Sequence, residues 1–386
     1  MKKKIVILGS TGSIGKITFN LIKKNKKKFD IVLLSTNKNI KELIKQAKIF
    51  KVKNLIVNDN NTFLLAKQKF KGFNFYNSFS SIDYILKNKK IYYVMNSVVG
   101  LDGLYPTLRI IKYSKNIAIV NKESIICAWN LIKTQLTKHK SNFIPIDSEH
   151  FSIFSLIKFE KKSSIDQVIL TASGGPFLNL KKNNTKHISI KDALNHPNWK
   201  MGKKITIDSS TMINKVFEVV EAKKIFDLKY NQIKIFTHPK SYIHALVKFN
   251  NGIIKLLAHE PNMLIPIFNS IYSDTSKKLP TRQIDLPILN NLKFDNVKKK
   301  DFPLIKILNL LPNNETLFET ALVTINDYFV HKFLEKKINY HSMIKFIIKS
   351  VKSKSILNLR KKKVRKIDDI IKIKKLLSFK LGKICI

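Results

Sequence analysis

Over the first 150 residues, short apolar runs alternate with longer segments whose apolar positions recur at helical spacing. Residues 5–8, 31–34, 54–57, 92–98, 118–120 and 143–146 read as strands. Strands separated by helices predict a parallel, doubly wound sheet, here an N-terminal Rossmann-like domain over residues 1–147. From Ser148 to about Ile271 the pattern is mixed, with residues 168–171, 233–236, 245–249 and 253–258 as strands of a second sheet. Asn251-Gly252 between the last two is a two-residue hairpin signal. This predicts an α/β central domain over 148–272. A proline-bearing irregular stretch, 273–300, reads as a linker, and helical periodicity over 301–386 predicts a C-terminal α-helical domain.

The length agrees with several domains, because 386 residues exceed the size at which a single core stops growing. A content of 44% hydrophobic and 25% charged residues is the balance of a soluble globular protein. The charge itself is lopsided: 72 Lys and Arg against 26 Asp and Glu give a formal net charge of +46. That figure points first to nucleic acid. Only Arg109, Arg282, Arg360 and Arg365 are arginines, however, and the lysines are spread over the whole length. Nucleic-acid readers use Arg for bidentate contacts and gather their charge in a patch. The excess therefore reads as a chain-wide bias toward lysine, and no specific nucleic-acid partner is expected.

Two cysteines, Cys127 and Cys385, are too few for a disulfide framework or a thiolate metal site, which fits a reducing cytoplasm. The apolar run after Met1-Lys2-Lys3-Lys4 ends at Gly9. It is shorter than the roughly 7–15 residues of a signal peptide. No stretch approaches the roughly 18 apolar residues of a membrane helix, so no membrane partner is expected.

Gly9-Ser10-Thr11-Gly12-Ser13-Ile14-Gly15 follows the first strand and opens a helix near Ile14. Strand, glycine turn and helix form a dinucleotide-binding unit: the backbone can approach a pyrophosphate, and the helix N-terminus offers N–H groups and partial positive charge. A tight turn without a ligand is the alternative. The second strand ends in Leu34-Ser35-Thr36-Asn37-Lys38-Asn39, with no carboxylate for a ribose 2′-hydroxyl. A 2′-phosphate is not repelled there, so NADP is favoured over NAD.

Against so much lysine the acids stand out. Asp147-Ser148-Glu149-His150 closes the last strand of the first domain, where open α/β sheets place their sites. Asp147 and Glu149 are candidate ligands for a hard divalent cation, or Asp147 is the N-cap of a helix over 148–157. Ser209-Ser210-Thr211 leads into a helix on which Asn214, Lys215 and Glu218 share a face, either as a site or as an ordinary surface pair. Ser173-Gly174-Gly175 is a small-residue turn after a strand, and His196-Pro197-Asn198-Trp199-Lys200-Met201-Gly202 has the makeup of a closing lid over about 195–204. Together they offer Ser173, His196, Ser209, Asn214 and Lys215 as phosphate donors, and Asp147, Glu149 and Glu218 as a three-carboxylate cation site.

These segments, with Asn121-Lys122-Glu123-Ser124 and Asp208-Ser209, occur in an order that resembles the 1-deoxy-D-xylulose 5-phosphate reductoisomerase family. The resemblance implies an NADPH-dependent oxidoreductase that rearranges the sugar phosphate and reduces it to 2-C-methyl-D-erythritol 4-phosphate, in non-mevalonate isoprenoid biosynthesis. It implies NADPH contacts by Thr11, Gly12, Ser13, Ile14, Asn37, Lys38, Asn39, Asn121, Glu123 and Gly202. Substrate contacts would come from Lys122, Ser148, Glu149, Ser173, His196, Ser209, Asn214, Lys215 and Glu218, under a lid carrying Trp199 and Met201. Asp147, Glu149 and Glu218 would hold Mg²⁺ or Mn²⁺, with Co²⁺ as a further candidate, in a cytoplasmic homodimer.

Several positions depart from the family pattern. Asn37 replaces a glycine, and Asn is the non-glycine residue best suited to positive φ. A segment usually reading G-E-P-D-M-R-x-P-I appears as His259-Glu260-Pro261-Asn262-Met263-Leu264-Ile265-Pro266-Ile267, and a late A-N-E as Ile325-Asn326-Asp327. Two rivals stay open: a nucleic-acid-binding protein, and a reductase working through a covalent thioester, which needs an activated Cys. Cys127 lies in an apolar stretch and Cys385 next to the last residue.

Overall fold

Seven strands, β1 (Lys3–Leu8), β2 (Phe29–Thr36), β3 (Asn54–Val57), β4 (Asn74–Tyr76), β5 (Ile91–Asn96), β6 (Ser114–Ile119) and β7 (Asn142–Pro145), form one parallel sheet in the order β4-β3-β2-β1-β5-β6-β7. The computed structural model describes residues 2–178, 187–272 and 277–382. Sheets of this kind are covered by helices on both faces, which is why β1 and β5 are apolar at successive positions. Ile5, Ile7, Leu34, Leu55, Tyr93 and Met95 are fully buried at its centre. The expected parallel sheet is present, with β4 as a further short strand that the apolar pattern does not reveal. Strand order reverses between β1 and β5, and a crevice opens at such a switch point beyond the carboxyl ends of the strands.

The glycine turn lies there. Gly9 has φ +74, and a Cβ on it would sit 2.7 Å from the carbonyl oxygen of Ser97. A Cβ on Gly15 would fall well inside 3.0 Å of the Gly9 carbonyl oxygen. Gly12 is different: its φ is −75, and a Cβ there would have its nearest neighbour at 3.4 Å. The fold demands glycine at 9 and 15, whereas at 12 it leaves clear backbone for whatever approaches from outside.

A second sheet contains β8 (Ile165–Ala172), β9 (Ile233–Thr237), β10 (Ile243–Phe249), β11 (Ile254–Ala258) and β12 (Asp295–Asn296), in the order β11-β10-β8-β9-β12. β8 and β9 are parallel, and the other pairs are antiparallel. The β10–β11 hairpin uses three loop residues, Asn250 to Gly252, instead of two. Phe249 and Ile253 close it at 2.9 Å, and Gly252 supplies a φ of +85. The helix that Ser209-Ser210-Thr211 leads into is Ile213–Phe226; a separate helix, Lys203–Ser210, precedes it, and Met212 adopts φ +61 between them. The C-terminal residues are helical, with Leu317–Leu334, Tyr340–Val351 and Ile367–Gly382 as the longer helices.

The chain divides into two compact units that differ from the three domains drawn above. The first contains Met1–Ser124, Asn130–Phe151 and Met263–Pro280; the second contains Ile125–Trp129, Ser152–Asn262 and Thr281–Ile386. Within the first, the helix Leu264–Ile271 packs on the parallel sheet, where Ser270 Oγ meets Tyr93 Oη at 2.7 Å and Tyr272 Oη donates to the Leu21 carbonyl at 3.0 Å. Within the second, the C-terminal helices join the smaller sheet's unit through Asn326, which donates to Asp208 at 2.8 Å, and Tyr340, which meets Ser210 at 3.1 Å. Part of the expected linker is ordered into β12, while residues 273–276 lie outside the described residues. No helix among the described residues is long and apolar enough to cross a membrane.

Gly15→Ala is expected to destabilise the protein by about 1–3 kcal/mol through overpacking, read as a lower chemical denaturation midpoint. An unchanged midpoint would mean that the turn yields without strain.

Candidate active site

In the first unit the glycine turn is tied to the end of β2. Gly9 N donates to Ser35 Oγ at 2.8 Å, and Thr11 Oγ1 lies 2.7 Å from Thr36 Oγ1. Gly12 begins the helix Ser13–Lys23 without a side-chain cap, which leaves first-turn N–H groups for an anion. Beyond β2, Asn39 caps the helix Ile40–Phe50 by accepting from Glu42 N at 3.2 Å. Lys38 is 73% exposed and 3.7 Å from Asp59. Asn37 is not among the described residues with positive φ, so this loop does without the left-handed turn its family glycine would permit. Asn121 and Glu123 are buried. Both polar atoms of the Asn121 amide are buried with no hydrogen-bond partner among the described residues. Buried amides are nearly always bonded, so Asn121 fits a site completed by a polar cofactor.

Asp147 stands at the end of β7 and starts the site's acidic half. Lys122, itself buried, places Nζ 3.1 Å from one Asp147 oxygen, and His150 donates to the other from Nδ1 at 3.2 Å. Ser148 donates to Glu149 at 2.6 Å from the first residues of the helix Ser148–Leu156.

The second unit assembles the remaining polar residues. The Gly174-Gly175 turn, with φ +81 and +64, lets the backbone pass so close to Ser209 that a Cβ on Gly175 would lie 3.1 Å from the Ser209 carbonyl oxygen. Lys215 is buried and donates to the Thr171 carbonyl at 2.7 Å, two residues before Ser173. It also pairs with Glu218, to which Asn214 donates. The helix face expected from spacing is therefore present, and it points inward rather than being a surface pair.

His196 is wired by geometry. Its Nδ1 accepts from the backbone N–H groups of Asn198 and Trp199 at 3.2 and 3.0 Å, so the ring proton sits on Nε2 and is donated to Ser173 Oγ at 3.0 Å. Gly175 N also donates to Ser173 Oγ, at 3.1 Å. With both lone pairs taken, Ser173 has only its own proton left to offer, which makes it a donor toward an anion. Burial, then the positive charge of Lys215, lowers the His196 pKa to about 4. Sequence reading overlooked Pro239, Ser241 and His244, which hold the loop that begins at His196. Asn198 donates to the Pro239 carbonyl at 2.6 Å and to Ser241 at 2.9 Å, and the Trp199 ring meets His244 edge-on at 5.9 Å. Neither the residue type nor the spacing of Pro239, Ser241 and His244 ties them to this loop in the sequence. Met201 is half-buried, and Gly202 precedes the helix Lys203–Ser210. Cys127 is fully buried, which removes it as an exposed thioester nucleophile; Cys385 lies outside the described residues.

A family model for 1-deoxy-D-xylulose 5-phosphate reductoisomerase matches residues 5–129, and models for its C-terminal domains match 143–226 and 259–377. The reductoisomerase of Pelagibacter ubique (strain HTCC1062) is 52% identical over 383 residues, 98% of this chain and 99% of its own. The chain belongs to the 1-deoxy-D-xylulose 5-phosphate reductoisomerase family. The Clostridium tetani member is 34% identical, over 91% of this chain and 92% of its own. The Zymomonas mobilis reductoisomerase in complex with NADPH superposes with TM-score 0.88 at 25% identity, covering 100% and 99% of the two chains. A reductoisomerase in complex with NADPH, fosmidomycin and magnesium gives 0.90 at 28%, covering 99% and 98%.

The departures from the family pattern can be located. Leu264, in place of Arg, packs on the apolar core of the first unit. Asp327, in place of Glu, still reaches Lys204 at 2.9 Å, and Lys204 also pairs with Asp208 at 2.9 Å. Asn262 N donates to the Glu260 carbonyl at 2.7 Å.

A pKa lowered from 6.5 favours the neutral ring in the folded protein, while the unfolded chain takes up the proton at the ordinary value. The stability contributed by neutral His196 is thus lost as pH falls from about 6.5 through about 4. In NMR titration the His196 ring signals should stay flat from pH 8 to about 5. A midpoint near the ordinary histidine value would refute the wiring.

Proposed function

We propose that this protein is an NADPH-dependent 1-deoxy-D-xylulose 5-phosphate reductoisomerase, which converts its substrate to 2-C-methyl-D-erythritol 4-phosphate for isoprenoid precursor synthesis. The observation that carries this is the relation to the Pelagibacter ubique reductoisomerase, which spans nearly the full length of both chains. Support from the site is chemical. Asp147, Glu149 and Glu218 offer only carboxylate oxygens, the donor set of a hard cation such as Mg²⁺ or Mn²⁺, and among the described residues no thiolate is grouped with them. When bound, the cation supplies Lewis-acid polarisation of a substrate oxygen, and NADPH supplies hydride.

The chain's own residues do the rest in this reading. Thr11, Gly12, Ser13 and Ile14 take the cofactor pyrophosphate on the helix N-terminus, Lys38 and Asn39 receive the 2′-phosphate side, and Asn121, Glu123 and Gly202 orient the reactive end. Asn37 provides loop backbone. Ser173, Ser209, Asn214 and Lys215 bind the substrate phosphate, with Ser173 donating its remaining hydroxyl proton. His196 holds Ser173 in that role and begins the lid, whose Trp199 and Met201 exclude water. Lys122, Ser148 and Glu149 orient the reacting oxygens, and Lys122 is placed to offset negative charge that develops there.

The reading extends to a cytoplasmic homodimer. Ile254 and Leu256 share one face of β11 and are 58% and 46% exposed, on an edge strand that could be covered by a second copy. Sedimentation should give a dimer, and Leu256→Lys should shift it toward monomer; a monomer at all concentrations would refute this part.

The activity is tested by NADPH oxidation with deoxyxylulose phosphate, with and without Mg²⁺ or Mn²⁺. Oxidation should require the metal and be blocked by fosmidomycin. Absence of metal-dependent oxidation overturns the assignment. Glu218→Gln should lower kcat by at least about 100-fold while NADPH affinity stays within about twofold; near-normal turnover would remove Glu218 from the metal site.

A further inference from the structure

His259, read above as a departure from a family glycine, has a definite place for its ring. It directly follows β11, and its backbone N–H donates to the Tyr242 carbonyl at 3.0 Å. The ring lies almost parallel to that of His244 on β10, with centroids 3.8 Å apart and planes at 19°. His244 in turn meets the Trp199 ring edge-on at 5.9 Å and 71°. Both histidines are buried, and each is held by a bond to backbone: His244 Nε2 donates to the His259 carbonyl at 3.1 Å, and His259 Nδ1 to the Glu260 carbonyl at 2.6 Å. The three rings come from separate parts of the second unit and form a column that ends at the lid tryptophan. The lid backbone is fastened independently, through Asn198 to Pro239 and Ser241. What the column adds is control of the Trp199 side chain, and a glycine at 259 would take away its base.

We propose that His259 is a positioning residue for substrate binding, which acts through His244 to hold the Trp199 ring in the orientation the lid uses. The proposal rests on reading residues 195–204 as the substrate lid. Stacking on a fixed ring lowers the number of orientations Trp199 samples before substrate arrives, so its loss should weaken substrate capture more than it slows the chemistry. Glycine at 259 removes the stack, leucine fills the space without a flat face, and phenylalanine keeps the flat face.

The experiment uses the full chain with Trp129→Phe, which leaves Trp199 as the single tryptophan. Acrylamide quenching of Trp199 is measured beside steady-state kinetics with NADPH and Mg²⁺. In His259→Gly the quenching constant should rise about twofold and KM for deoxyxylulose phosphate about three- to tenfold, with kcat within about twofold of the parent. His259→Phe should restore both readouts. Loss of active protein alone would lower kcat without moving KM or being rescued by an aromatic ring. Unchanged quenching and KM in the glycine variant overturn the proposal, as does failure of phenylalanine to rescue. Should the glycine variant not fold, His259→Leu replaces it, and parental quenching and KM in that variant overturn the proposal equally. Quenching that follows residue 259 as expected in a chain without deoxyxylulose phosphate turnover supports the ring column and overturns the functional reading instead.

Discussion

A charge withdrawn from water has to be neutralised where it sits, and this constraint organises the polar interior of the chain. Asp208, Glu218 and Glu319 are each about 1% exposed, and each faces a lysine: Lys204, Lys215 and Lys224. Asp147 faces Lys122 in the other unit. Removing one member of such a pair strands a buried ion, at a cost of about 3–5 kcal/mol. The pairs therefore fix the helices that carry them. In the proposed reading, Lys122 and Lys215 neutralise the acids in the resting fold, and both are also placed among the substrate contacts.

The neutral components are set with equal definition. His196 receives two backbone N–H groups on one nitrogen and gives its proton through the other, so its tautomer follows from the loop's own geometry. That loop is short, anchored by Asn198, and followed by a helix tied to Asp327 through Lys204. A ring held neutral and oriented in this way serves as a fixed donor to Ser173, and the serine passes on the only proton it has left. Polar groups that need no reorganisation when a ligand arrives are the ones that bind it with least loss.

Much of this was legible in the chain, and the reasons are physical. Parallel strands buried on both faces are apolar at successive positions, so β1, β2 and β5 announced themselves; Asn74–Tyr76 is too short to do so, and Asp295–Asn296 is both short and polar. The break at Met212 was invisible because nothing about methionine signals φ +61; only the tertiary packing of the two helices imposes it. Lys215 and Glu218 could be placed on one helix face by spacing, but whether that face pointed to solvent or inward depended on Thr171, which is 44 residues away in sequence. Division into units was the least legible feature. The chain contributes Ile125–Trp129 to one unit from the middle of a helix that belongs to the other, and a helix kinked at Ala128 leaves no mark in periodicity.

The departures from the family pattern show which constraints are local. Asp327 is one methylene shorter than a Glu and still pairs with the long side chain of Lys204 at 2.9 Å. Leu264 replaces a cation with apolar surface at the edge of an apolar core, a change that packing alone can absorb. His259 is a departure that adds a ring. A ring set beside a strand has to be covered on both faces or left half wet, and His244 covers one face at stacking distance. Each of these changes is settled inside a single unit. The glycines at 9 and 15 admit no such local settlement, since a Cβ at either would fall within 3.0 Å of backbone and no change of side-chain chemistry can relieve that.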